Sequence, residues 1–290
     1  MSYYKHILIQ IRVHQYVKNF FIFPPLFFAA KITELALLTN AAIAFVAFSL
    51  TASAIYTFND YRDINEDRQH PKKKNRPIAS GAISKPQAIM LMAVLFITGF
   101  ALMASLSLEA VGILSTYTIL NVAYSMKLKH VAILDVAIIA TGFVLRLFIG
   151  SVVTDIPLYM WIVVITCLLA LFMALAKRRD DVLIFEDTGQ KTRKVIDGYN
   201  LQFLDTAMAI MASVVIVAYT IYTTSAEVIA RVHSDYLYLT SLFVILGIMR
   251  YLQIALVFKD SVSPTKIVLK DRFMQATLVG WALTFAVILY

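Results

Sequence analysis

Four acids and six cations crowd residues 59–81, NDYRDINEDRQHPKKKNRPIASG, in a chain of which only 15% of the residues are charged. Asp60, Asp63 and Asp67 stand at i, i+3 and i+7. If the apolar helix entering the stretch continues through it, all three carboxylates share one face, with Asn59 beside them. Three anions on one stripe repel each other, and a bound cation relieves that. Oxygen donors of this kind suit Mg2+, which takes one or two carboxylates and completes its shell with water and phosphate oxygens. His70, Lys72, Lys73, Lys74 and Arg76 follow directly. Arg forks match phosphate oxygens and Lys supplies point charge. The stretch therefore reads as a metal–diphosphate clamp, with Asn59, Asp60, Asp63 and Asp67 as metal ligands. The same three acids are catalytic candidates, and His70, Lys73 and Arg76 are substrate-binding candidates. A solvated loop greeting anionic lipid headgroups accounts for the bases, but not for carboxylates in register.

Three other places gather polar residues in greasy surroundings. ALAKRRDDVLIFEDTGQKTRKVIDGY carries Lys177, Arg178, Asp180 and Asp181, then Arg193, Lys194 and Tyr199. Lys177 and Asp181 are catalytic candidates; Lys177, Arg178, Arg193 and Lys194 are substrate-binding candidates. Two acidic-basic clusters at one membrane face would be able to close over one ligand. YSMKLKHVAILDVAIIATGFVLRLFIG places Tyr124, Lys127 and Lys129 around a short loop, Asp135 one turn into the next helix, and Arg146 near mid-membrane. An arginine at that depth costs ~2.5–3.5 kcal/mol on insertion scales, so it faces a polar cavity or a partner. Asp135 lies eleven residues away, ~16 Å along a helix, so Arg146 must find its partner elsewhere. RVHQYVKNFF sets Gln15, Lys18 and Asn19 at the inner end of the first apolar run. Lys18, Asn19, Arg146, Tyr124, Lys127, Lys129 and Tyr56, one turn before Asp60, complete the substrate-binding set.

The elements that must position these groups are membrane spans. The chain has 290 residues, 60% of them apolar, and a mean hydropathy of +0.76, whereas soluble domains run about 45–50% apolar and about 25% charged. Stretches of ~20 mostly apolar residues fall at roughly 15–31, 40–58, 87–106, 109–126, 131–153, 157–176, 205–224, 236–257 and 273–290. The first is the weakest, holding Lys18 and Asn19 and being interrupted by Pro24-Pro25. The expectation is an all-α polytopic membrane protein of about nine transmembrane helices, residues 1–290 forming one integral-membrane domain. With the N-terminus cytoplasmic, 22 of the 26 Lys and Arg fall on inner segments. That asymmetry sets the N-terminus inside, by the rule that basic loops stay cytoplasmic. The net charge of +8 follows topology and calls for no nucleic acid. No short apolar core with a small-residue cleavage site opens the chain, so no cleaved signal peptide is expected. The only cysteine, Cys167, lies in an apolar run and reads as a buried hydrophobe. Oligomeric state is not legible.

N-D-x-x-D-x-x-x-D running into R-P-I-A-S-G after the second of nine spans resembles the UbiA superfamily of intramembrane prenyltransferases. Q-Y-V-K-N near the start, D-R-x-H-P-x-K-K-x-R-P-I-A-S-G, L-D-V with G-F-V-L-R in the fifth span, and K-R-R-D-D after the sixth narrow the likeness. They resemble its polyprenyl-phosphate phosphoribosyltransferase branch. The resemblance covers most of the chain, most strongly residues 10 to about 200, and loosens in the C-terminal third. It implies Mg2+-dependent transfer of 5-phosphoribose from phosphoribosyl diphosphate to a polyprenyl phosphate, releasing diphosphate, at the cytoplasmic face of the inner membrane, with a product that feeds cell-envelope biosynthesis. In that branch the position of Asp181 is commonly Glu, a carboxylate of longer reach. The alternative is a UbiA-type enzyme moving a prenyl group from its diphosphate to an aromatic or lipid acceptor. A small transporter or lipid-binding membrane protein fits less well: transporters favour ionisable groups at the midplane, whereas here the charge collects at one face.

Overall fold

The structure, a computed structural model, describes residues 3–69, 73–189, 193–258, 267 and 270–289. His70 and Lys72 therefore lie outside the described residues, as do Lys259 and Lys266. Among the described residues every regular element is helical. In chain order the α-helices are α1 (Tyr3–Gln10), α2 (Pro24–Phe28), α3 (Leu35–Arg62), α4 (Ile64–Gln69), α5 (Lys85–Ala104) and α6 (Leu108–Met126). They continue as α7 (Leu134–Thr154), α8 (Met160–Thr188), α9 (Leu201–Thr224), α10 (Ala226–Val232), α11 (Thr240–Leu252) and α12 (Arg272–Leu289). Polar caps start them where the sequence turns. Ser84 and Gln87 form a reciprocal capping box at α5, and the Asn200 side chain accepts from the Phe203 N–H at α9, each satisfying amides that the first helical turn leaves open.

Among the described residues, seven helical stretches are long and apolar enough to cross a membrane: α3, α5, α7, α8, α9, Asp235–Val257 and α12. They match the expected spans except the first and fourth. The fourth is α6, a 19-residue helix whose Glu109, Asn121, Tyr117 and Tyr124 dilute its hydropathy. The first is broken: Val13–Ile22 winds as 3₁₀ helix and α2 follows. Pro24 and Pro25 have no N–H to carry an α-helical ladder through the segment.

The chain clusters into two compact units, Met1–Lys127 with Gly142–Leu158, and Leu128–Thr141 with Tyr159–Tyr290. In the first, Ile22, Leu26, Phe48, Leu114, Tyr117 and Ile149 are core. Its helices α3 and α5 pack closely at Gly99, where a Cβ would stand 2.5 Å from Thr51 Oγ1 and 2.9 Å from the Ala47 carbonyl. The second unit is built on Phe172, Leu204, Met208, Val215 and Tyr251. Ile89, Met90, Val94 and Ile97 on α5 remain exposed, the arrangement expected of a surface meeting lipid tails rather than water.

Candidate active site

Helix α3 delivers Asn59 and Asp60 and then stops. Its C-cap is Asp63, which leaves helical geometry at φ −88° and ψ 12° while its N–H reaches the Asn59 carbonyl. The chain restarts as α4, which carries Asp67. The expectation that one continuous helix aligns Asp60, Asp63 and Asp67 is therefore corrected. The break turns Asp63 toward Asn59, whose amide donates to it at 3.2 Å, while Asp60 and Asp67 meet around a single arginine.

That arginine is Arg76, whose Nη1 donates to Asp60 Oδ1 at 2.9 Å and to Asp67 Oδ2 at 2.8 Å. Its loop is held down by Arg68, which donates to the Ala79 carbonyl at 3.0 Å, and by Ile78 and Ile83 packed with Ile64. Arg12 Nη2 adds a second cation on Asp60 Oδ1 at 2.6 Å, and Gln10 Nε2 donates to Asp60 Oδ2 at 3.0 Å. Asp60 and Asp67 are each 2% exposed. Burial pushes the Asp67 carboxyl above its ordinary range, against the pull of Arg76. Arg12 sits in the left-handed region at φ 54° with its guanidinium 4.9 Å from the Tyr56 ring centre. Such a backbone costs on the order of 1–3 kcal/mol and persists where surrounding contacts impose it.

Sequence reasoning missed Gln10 and Arg12. The signal was present in the polar run around RVHQYVKN, but nothing local ties residues 10 and 12 to residue 60. Lys73 and Tyr56 are half-buried near the same segment ends.

Among the described residues no three His, Cys, Asp or Glu side chains come together as a metal-holding group. The donor set nevertheless fits a small hard cation. Two carboxylates already converge on one positive nitrogen, and Mg2+ needs only one or two carboxylates of its own.

Arg146 lies in the same unit and has found its partner. Its Nε donates to Asn19 Oδ1 at 2.8 Å, its Nη1 reaches the Gly142 carbonyl at 2.5 Å, and Phe48, Tyr117 and Phe143 surround the guanidinium. Asn19 in turn donates to Ser49 at 2.8 Å. Lys18, next in sequence to Asn19, is half-buried; Gln15 and Tyr124 are also half-buried, and Lys127 is exposed.

The second unit holds the other cluster. Arg178, 1% exposed, pairs with the fully buried Asp135 and donates to Asp181 Oδ2 at 2.8 Å. Arg193 joins Asp181 at 3.1 Å. Tyr199 donates to Asp135 Oδ1 at 2.6 Å and accepts the Ile133 N–H at 2.7 Å. Burial and the bond to Asp135 push its phenol well above the usual range. Arg178 is thus an internal ion-pair residue, and Asp135 is its anchor. Arg179, itself buried, pairs with the more exposed Asp205 at 2.5 Å. Lys177 and Lys194 are exposed, and Lys129 is half-buried.

An acid–arginine cluster at the end of a long apolar helix, among described elements that are all helical and several of them long enough to span a bilayer, defines a class of integral-membrane proteins with a polar site at the end of a span. The sequence matches the UbiA prenyltransferase family over residues 20–276, and the chain belongs to that family. It is an integral-membrane transferase. Among curated relatives, the decaprenyl-phosphate phosphoribosyltransferase of Mycolicibacterium smegmatis is 31% identical over 259 residues, covering 87% of this chain and 80% of that one. The decaprenyl-phosphate phosphoribosyltransferase of Corynebacterium glutamicum is 29% identical over 284 residues, covering 97% and 85%. Among solved structures, a UbiA homolog from Archaeoglobus fulgidus bound to GPP and Mg2+ shares the fold, with a TM-score of 0.73 and 20% identity over 98% of this chain and 99% of that one.

Proposed function

We propose that this enzyme transfers 5-phosphoribose from phosphoribosyl diphosphate to a polyprenyl phosphate and releases diphosphate. The observation that carries the chemistry is Arg76 lodged between Asp60 and Asp67 with Arg12 alongside. The choice of phosphoribosyl over prenyl transfer is supported by the similarity to the two phosphoribosyltransferases. Because a single family match spans residues 20–276, the whole chain is read as one functional domain. The asymmetry of its cations supports an active site facing the cytoplasm from the inner membrane, with the N-terminus inside.

Asp60 and Asp67, with Asn59 and Asp63 adjoining, are the residues that would hold a divalent metal, Mg2+ in this reading. When bound, such a metal neutralises charge on the leaving diphosphate. Arg76, Arg12 and Lys73 supply further positive charge at the same place, where a buried setting makes it count for more than in water. The burial of Asp60 and Asp67 excludes water from the carboxylates that organise the site. The attacking group is a phosphate that is already anionic, so no strong general base is required. The isoprenoid chain stays in the bilayer, against the apolar outer faces of the helices.

The test is transfer of label from radiolabelled phosphoribosyl diphosphate to a polyprenyl phosphate by detergent-solubilised protein, with and without Mg2+. Metal-dependent movement of label into the organic phase is expected. Transfer only from a prenyl diphosphate to an aromatic or lipid acceptor would make the cluster a clamp for a lipid's diphosphate and overturn the proposal.

A further inference from the structure

Gln10 ends α1 and is 1% exposed. Its Nε2 donates to Asp60 Oδ2 at 3.0 Å. The carboxylate thereby fixes which way the amide points, since a flipped amide would set oxygen against oxygen. The other end, Oε1, is buried and has no partner. Among the described residues the only other such atoms are Nε and Nη1 of Arg231, and that guanidinium lies 3.8 Å from the Tyr159 ring centre, so a π-face meets it. Gln10 has no comparable explanation. A buried acceptor left open is destabilising and calls for a donor, and this one is a single side chain away from Asp60.

We infer that Gln10 accepts a hydrogen bond from a hydroxyl of the donor sugar, the one on the carbon next to that bearing the diphosphate, and so sets specificity for a ribosyl over a prenyl donor. The inference rests on the phosphoribosyl reading above. Diphosphate oxygens are acceptors at neutral pH and cannot satisfy Oε1. A prenyl diphosphate offers only carbon beside its reacting centre and would leave the amide unpaired, whereas a ribosyl donor brings a hydroxyl to the same place. Sites that pair a substrate hydroxyl reject analogues lacking it far more strongly than apolar pockets reject a missing methylene.

The experiment measures kcat and KM of wild type and Gln10→Met with phosphoribosyl diphosphate and with its 2-deoxy analogue, at saturating polyprenyl phosphate. Wild type is expected to lose on the order of 10- to 100-fold in kcat/KM with the deoxy donor. Gln10→Met should lose about as much with the parent donor and then distinguish the two donors by less than about threefold, with KM for polyprenyl phosphate unchanged. Equal turnover of both donors by wild type overturns the inference without any variant. So does a Gln10→Met enzyme that keeps full discrimination, as it would if the mutation only disturbed packing or a metal-bound water. A wild type that transfers nothing from the parent donor removes the phosphoribosyl reading itself, and with it the inference.

Discussion

The Arg146 guanidinium donates from Nε to the Asn19 side-chain oxygen at 2.8 Å, joining α7 to the 3₁₀ run across 127 positions of sequence. No carboxylate takes part, and the cation is held by an amide, a helix carbonyl and aromatic faces. Asn19→Leu should therefore be costlier than Arg146→Met. The first leaves a charged donor buried without its acceptor, at about 1–3 kcal/mol or more. The second removes the charge and leaves only a neutral acceptor, Asn19 Oδ1, without its donor, while the Asn19 amide keeps its bond to Ser49. Thermal unfolding in detergent should show the larger drop in midpoint for Asn19→Leu; the reverse order would mean that the aromatic cage, and not the amide, holds the arginine.

Asp60 accepts from three side chains, yet its two arginines keep 22% and 27% side-chain exposure. Asp60→Asn should accordingly leave the fold almost intact, because both cations can turn to water and the Gln10 contact has a neutral counterpart. Transfer activity should fall by at least about 100-fold, the scale seen when a group stabilising developing charge is lost. Chelation of divalent metal should abolish activity of the wild type, and added Mg2+ should restore it. Near-wild-type turnover by a folded Asp60→Asn enzyme would remove the acid cluster from the mechanism.

Most of the architecture was legible because it depends on composition. Runs of Leu, Ile, Val and Phe long enough to span a bilayer have few other fates, and seven of them recur as long helices. The first run departed because two adjacent prolines break a ladder that hydropathy does not sense. Asp60, Asp67 and Arg76 were legible as types and as neighbours in sequence. Their geometry was not, since it hangs on one residue, Asp63, leaving helical dihedrals. Gln10 and Arg12 were invisible for a different reason: their role comes from a contact across some fifty residues of chain, which no local pattern encodes. Arg178 was legible as a cation of a ligand-binding kind, but its buried pairing with Asp135 was not, because burial of both side chains is a tertiary fact.

Asp135 and Arg178 form a pair with 0% and 1% side-chain exposure. Removing one member of such a pair strands the other, typically at 3–5 kcal/mol, while replacing both with apolar groups is often close to neutral. Asp135→Leu should thus lower the thermal midpoint sharply, tempered by the bond that Arg178 keeps to Asp181. Asp135→Leu with Arg178→Met should recover much of that loss. A double-mutant cycle in detergent checks this, and strictly additive losses would show that the two residues are not coupled.

Gly150 on α7 faces the backbone of the 3₁₀ run: a Cβ built there would stand 2.0 Å from the Ile22 carbonyl oxygen and 2.9 Å from its carbonyl carbon. Those atoms cannot rotate away as a side-chain tip would. Gly150→Ala must push the 3₁₀ run off α7, in the segment that also carries Lys18 and Asn19, and overpacking of this kind costs roughly 1–3 kcal/mol. The displacement lengthens the reach from Arg146 to Asn19, so its stability penalty should overlap with that of Asn19→Leu and not add to it. Gly112, with nothing within 4 Å of its Cβ position, is the control, and Gly112→Ala should be neutral or slightly stabilising through helix propensity. Equal midpoints for the two alanine variants would mean that α7 and the 3₁₀ run do not touch at Gly150.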